Sequence, residues 1–166
     1  MTVISSQKDL DALTLTIVAE FDADAARIWQ VWEDPRQLER WWGPPTWPAT
    51  FDRHDFEVGG GSSYYMTGPD GEKSHGWWKI TAIEPPHRFE FTDGFAGDDG
   101  EPNGVLGETH AVMTLDESDG RTRMTVTSHF ESVDQLEKMI DMGMEEGTKL
   151  AMGQIDDLVA ERVRSS

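Results

Sequence analysis

An α+β fold, with about seven antiparallel strands and one long C-terminal helix laid across them, is predicted by three features of the chain. Between Leu13 and Phe130, short stretches of alternating apolar and polar residues recur, separated by Gly, Pro and Asp turns. That is the pattern of strands in hairpin order. After Ser132 the period changes, and Val133, Leu136, Ile140, Gly147, Ala151 and Leu158 fall in one stripe at about 100° per residue, as in an amphipathic helix. No second run of helices is available to receive this stripe, so it must lie on the sheet.

The elements follow in order. Leu13, Leu15, Ile17, Ala19 and Phe21 share one face of a half-buried strand. Asp24 can cap a short helix carrying Ala25, Ile28, Trp29 and Trp32, which Asp34-Pro35 ends. Pro35 to Arg40 forms a second short helix with proline in its first turn. Strand patterns then run over 51–58, 62–66, 77–83 and 88–92, with Gly68-Pro-Asp-Gly71 as a hairpin turn. An acidic loop is expected over 94–104, then a hairpin of 107–115 and 122–130. Ser132 caps the terminal helix, expected to run unbroken over 132–162.

Composition excludes several functions. The 166 residues fit one domain, 1–166, with a sizeable core. No cysteine is present, which rules out disulfides and thiolate metal sites. The net charge of −18, from 32 acidic and 14 basic side chains, would repel phosphate backbones and anionic lipid. Neither a nucleic-acid partner nor a membrane role is expected. The opening residues lack an apolar leader, and no run approaches the roughly 20 apolar residues that span a bilayer. A cytoplasmic protein is the expectation.

The segment Trp41-Trp42-Gly43-Pro44-Pro45-Thr46-Trp47-Pro48 carries three indoles in a stiffened connection, and indoles of that area need a surface to bury against. It is either a structural plug or a lid touching a ligand, with Gly43 as hinge and Trp41 and Trp42 pointing opposite ways. Gly143 and Gly147 sit four residues apart on the helical stripe. Glycine inside a helix costs about 1 kcal/mol against alanine. Either the sheet comes close there or the absent side chains belong to a cavity wall.

Several motifs then carry a resemblance. Ile28-Trp-Gln-Val-Trp-Glu-Asp-Pro35, Leu38-Glu-Arg-Trp-Trp-Gly43, Phe56-Glu-Val-Gly-Gly60, Tyr64-Tyr-Met-Thr-Gly-Pro-Asp-Gly71 and Ile83-Glu-Pro-Pro86 resemble the START-like (SRPBCC) superfamily. Within it they are similar to the branch named after activators of the heat-shock-protein ATPase. The ending, Met142-Gly-Met-Glu-Glu-Gly147 with Gln154-Ile-Asp-Asp-Leu158, is similar to bacterial members of that branch. The resemblance implies the helix-grip fold, a curved sheet wrapped around the long helix with a cavity between them. It also implies relatives that bind lipids or hormones, cyclise polyketides or activate chaperones. Eukaryotic activators carry a further N-terminal domain, for which no room is expected here.

In that context the expected cavity is bordered by Trp41, Trp42, Tyr64, Met66, Trp78, Phe91 and Met113, with Ile140, Met144 and Gly147 from the helix. Methionines suit core filling and adaptable pockets alike. Gln154 is a lone polar residue on the stripe, either bonded to nearby backbone or serving as the pocket's polar anchor. His110 and His129 are expected as neighbours on the outer face. Asp93, Asp98, Asp99, Glu101 and Asn103 are read as a solvated acidic loop, since their spacing does not fit a calcium loop. No zinc-ligand spacing and no dinucleotide or phosphate fingerprint occurs, so no metal and no cofactor is expected. The leading function is binding of a small apolar or aromatic molecule. A cyclase- or dehydratase-type enzyme using the same cavity and a chaperone-interacting regulator are the alternatives, and a homodimer is a further admissible partnership.

Overall fold

The computed structural model describes residues 3–43, 46–96 and 108–159. Eight strands form one antiparallel sheet: β1 (Val3–Asp9), β2 (Thr14–Phe21), β3 (Ala49–His54), β4 (Gly61–Thr67), β5 (Lys73–Glu84), β6 (Arg88–Ala96), β7 (Glu108–Ser118) and β8 (Arg121–His129). Their spatial order is β1-β2-β8-β7-β6-β5-β4-β3. All neighbouring pairs but one are consecutive in the chain, and the β2–β8 pair brings its early and late strands together. The sheet is curved and grips the helices, as the fold class requires. The eighth strand is β1, an edge strand whose Ser5-Ser-Gln-Lys-Asp9 run shows too little apolar alternation to be read in advance.

Between β2 and β3 lie α1 (Ala25–Glu33) and α2 (Pro35–Trp41). Asp24 accepts from the Arg27 N–H as its sequence offered, and Asp34 accepts from the Arg36 N–H, so each helix has an acidic cap. Asp34 also ends α1, which turns the chain sharply into α2. The apolar face of α1 is wholly buried through Ile28, Trp29, Val31 and Trp32.

The terminal helix is not continuous. α3 (Val133–Asp141) and α4 (Met144–Gly153) are separated at Gly143, whose φ of 92° is left-handed. The Gly143 N–H bonds the Ile140 carbonyl, and its own carbonyl receives the Gly147 N–H. One glycine thus closes α3 and opens α4. The apolar periodicity runs across the break. Leu136 and Met139 from α3 and Ala151 and Met152 from α4 belong to one buried core. Leu158 is buried as expected, whereas Val133 is exposed.

Alternation places Leu15, Ile17, Ala19 and Phe21 on the inner face of β2, and Ala111, Met113 and Leu115 on that of β7. Strand β6 extends beyond the segment read from sequence, through Gly94 to Ala96. That extension decides the chemistry of the interior.

Candidate functional site

A cavity of about 480 Å³ lies between the inner face of the sheet and α3–α4. Trp41, Trp42, Trp47, Tyr64, Met66 and Phe91 border it on the sheet and α2 side. Met139, Met142, Gly143, Gly147 and Thr148 border it from the helices. A Cβ added at Gly143 or Gly147 would meet nothing within 4 Å. Of the two roles open to this glycine pair, the geometry therefore gives the cavity wall. Gly143 additionally needs its positive φ.

Five of the residues expected around the cavity stand elsewhere or outside description. Trp78 is buried behind the wall, stacked on Phe91 with ring centroids 4.3 Å apart. Met113 is fully buried in the core. Ile140 is partly buried against that core and does not border the cavity. Gln154 donates its amide N–H to the Gly43 carbonyl at 2.7 Å and lies within 3.4 Å of the Trp41 carbonyl. It ties α4 to the end of α2, the backbone-bonded alternative, and is no polar anchor. The Met144 side chain lies outside the described residues.

The tryptophan segment also differs from the extended, hinged lid expected. Trp41 is the last residue of α2 and Trp42 its C-cap. Trp41 is 1% exposed and donates its indole N–H to the Val31 carbonyl at 2.8 Å, so it is core as much as wall. Trp42 is half-buried and meets Trp32, Trp41, Tyr64, Trp78 and Phe91 at centroid distances of 4.8 to 6.5 Å. Gly43 is no free hinge, because a Cβ there would run into the backbone of residues 47–49. Pro44 and Pro45 lie outside the described residues. Trp47 reaches across to the Gly68 turn and joins Trp32, Trp41 and Trp42 at the border.

Asp93 is the residue that changes the site. It belongs to β6, not to a solvated loop, and alternates with Phe89, Phe91 and Phe95 onto the inner face. Asp98, Asp99, Glu101 and Asn103 lie outside the described residues. Across the ladder Asp93 stands opposite Trp78 on β5 and Thr109 on β7. It is half-buried at the cavity border, and burial raises its carboxyl from the usual 3.8 to about 7. Desolvation disfavours the charged form when no opposite charge compensates. Only its own backbone N–H opposes the shift. No Lys, Arg or His is among the described cavity-lining residues.

Tyr64 stands beside this carboxyl. Gly76, opposite it on β5, leaves the space that the phenol ring fills. Burial, with the Asp93 charge second, pushes the Tyr64 hydroxyl well above the usual tyrosine range. The Trp42 and Trp78 indoles pull weakly the other way. Neither indole N–H reaches hydrogen-bonding geometry with an acceptor, so both are near the hydroxyl without satisfying it. Ser74, Thr109 and Ser128 complete a neutral polar stripe along the cavity. The stripe is hidden in the sequence because Gly94 reads as the start of a loop. Extending the period-two pattern from Phe89 and Phe91 by one step would have reached Asp93.

The histidines serve structure. His54 sits between the Ser62 hydroxyl (2.6 Å) and the Trp32 carbonyl (2.9 Å). The carbonyl can only accept, so Nε2 carries the proton and Nδ1 accepts from Ser62. Burial lowers its pKa. His110 and His129 are paired across β7–β8, with rings 6.5 Å apart. His110 bonds Glu90 at 3.0 Å on the outer face, and this bond, with Arg88, holds the Glu90 carboxyl below its ordinary range. Among the described residues, no three of His, Cys, Asp or Glu cluster as metal ligands. No helix there is long and apolar enough to cross a membrane.

A single curved antiparallel sheet, two short helices inserted after its second strand and a terminal helix over an internal cavity define the helix-grip, START-like class. Comparison with known proteins narrows this. Residues 22–160 match the family model described as activator of Hsp90 ATPase homolog 1-like protein, and the chain belongs to that family. A protein from Arthrobacter aurescens, solved by NMR, is 59% identical with a TM-score of 0.93, over 96% of this chain and 93% of that one. A crystal structure from Mycobacterium smegmatis is 51% identical with a TM-score of 0.88, over 94% and 96%. The AHSA1 protein from Silicibacter pomeroyi shares the fold at 22% identity and a TM-score of 0.72, over 90% and 99%. No curated protein matches the chain.

Proposed function

We propose that this chain binds a small apolar or aromatic molecule in the cavity between α3–α4 and the sheet. The observation that carries this reading is the cavity itself, about 480 Å³ bordered chiefly by indole, phenyl and thioether groups. Sites of this size and lining bury most of a drug-sized ligand while a few polar groups orient it. Gly147 holds the helical wall back at a helix-propensity cost, which is understandable if the space is used. Titration with the fluorescent probe anilinonaphthalene sulfonate is not ideal, since its sulfonate would meet Asp93; the neutral probe N-phenylnaphthylamine is the better choice. It should bind saturably, and Gly147→Leu should abolish binding while circular dichroism stays native. Binding unchanged in that variant would remove the assigned wall.

A second reading, a cyclase- or dehydratase-type enzyme in the same cavity, is favoured by Asp93. A carboxyl titrating near 7 can both give and take a proton at neutral pH. A ligand recovered unchanged after prolonged incubation with the protein speaks for binding alone. Conversion that disappears in Asp93→Asn speaks for catalysis. Contact with a chaperone, named in the family's description, would use the outer surface and does not require the cavity.

A further inference from the structure

We infer that the cavity selects a cationic aromatic amine, with its ring among the indoles and its ammonium group on Asp93. The inference deepens the cavity-binding reading and rests on it. Asp93 is the one carboxyl among the described lining residues, and no basic side chain there faces it. Its neighbours in register are Thr109 and Trp78, neither charged. An anionic ligand would meet a carboxylate with no compensating base. A neutral aromatic ligand would leave the carboxyl desolvated and without a partner, which is costly. An ammonium group supplies the missing partner through charge-assisted hydrogen bonds. The rings of Trp42, Tyr64 and Phe91 border the same space, where an aromatic ring adds a favourable quadrupole for a cation set over its face. The net charge of −18 raises the local concentration of cations around the molecule.

Proton linkage gives this inference a distinct signature. Without ligand the Asp93 carboxyl titrates at about 7. An adjacent ammonium favours the ionised form, so binding below pH 7 must expel a proton. Affinity then rises as pH increases toward 7 and levels off above it. Tyr64 on β4 is the other titratable group facing Asp93, and it stays protonated throughout because its pKa is raised. The described lining residues from β2, β5, β7, β8, α3 and α4, among them Ser74, Thr109, Ser128, Met139 and Thr148, carry no ionisable group.

Isothermal titration with naphthylmethylamine, naphthylmethanol and naphthoate tests this, at pH 6 and pH 8 and in buffers of differing ionisation enthalpy. At pH 8 the amine should bind at least tenfold more tightly than the alcohol, and the naphthoate not at all. The amine should weaken toward pH 6 and release a proton there, while the alcohol shows neither effect. Asp93→Asn should bring the amine down to the level of the alcohol. Alcohol binding as tightly as amine, or an amine preference that survives Asp93→Asn, overturns the inference and leaves the cavity reading standing. Preferential binding of naphthoate also overturns it. Failure of all three probes to bind overturns both.

Discussion

A carboxyl among indoles is an expensive group to fold, and Asp93 makes the expense measurable. Its folded value of about 7 lies above the ordinary 3.8, so between those values the folded chain holds a proton that the unfolded chain has released. Stability must then fall as pH rises from about 4 to 7 and stay lower beyond. At about 1.4 kcal/mol per pH unit, the interval caps the effect at roughly 4 kcal/mol. Water in the cavity would reduce it. Asp93→Asn should therefore stabilise the empty protein by on the order of 2–4 kcal/mol at pH 8, with the gain vanishing toward pH 4. Urea midpoints across that range check it, and a gain that does not depend on pH would mean the carboxyl is not desolvated. The two adjacent tryptophans separate by the same reasoning. Trp41 is buried and hydrogen-bonded, so Trp41→Ala should cost about 3–5 kcal/mol. Trp42 is half-buried at the cavity, so Trp42→Ala should cost less stability and weaken an apolar probe by about tenfold, one pocket contact being worth roughly 1–3 kcal/mol. If both variants lose equal stability and neither changes probe affinity, Trp42 belongs to the core alone.

At the scale of elements, the break in the terminal helix is the feature with most consequence. Gly143 alone carries the left-handed turn between α3 and α4, and a Cβ there meets no neighbour. Gly143→Ala should thus cost about 1 kcal/mol through backbone strain alone, with the cavity unchanged. Gly147→Ala, in a helix interior with open space beside it, should instead stabilise by about 0.5–1 kcal/mol. Chemical denaturation of the two variants should give opposite signs, and equal signs would contradict the assigned conformations. These two glycines also show what the sequence could carry. Their place on the apolar stripe was legible, as were the caps at Asp24 and Ser132 and the helix end at Asp34, because capping and periodicity are local. The break was not, since the stripe continues through it and positive φ at a glycine leaves no trace in composition. Asp93 was hidden for the opposite reason. Its type and the glycine after it suggest solvent, against the period-two pattern of Phe89 and Phe91, and the pairing of β6 with β5 and β7 carries it inward. Trp78 and Met113 were rightly expected inside, but periodicity gives a face and cannot distinguish a cavity wall from the layer behind it.

For the whole molecule, one number governs two effects of opposite sign. A net charge of −18 on 166 residues makes the folded state repel itself more than the expanded unfolded chain does. Screening should relieve this, because the Debye length falls from about 30 Å at 0.01 M salt to about 3 Å at 1 M. Salt that is otherwise inert should raise the unfolding temperature over that range; at roughly 2–4 °C per kcal/mol for a domain of this size, a relief of about 1–2 kcal/mol gives a rise of several degrees. The same field draws cations toward the cavity, so salt should slow the association of naphthylmethylamine while leaving naphthylmethanol unaffected. Stopped-flow quenching of the cavity tryptophans reads the rates, and calorimetry reads the stability. A protein that becomes more stable in salt yet captures a cationic probe more slowly has its charge acting in both places. If salt raises stability without touching the amine's association rate, the negative field is spread away from the cavity mouth, and steering plays no part in how a ligand reaches Asp93.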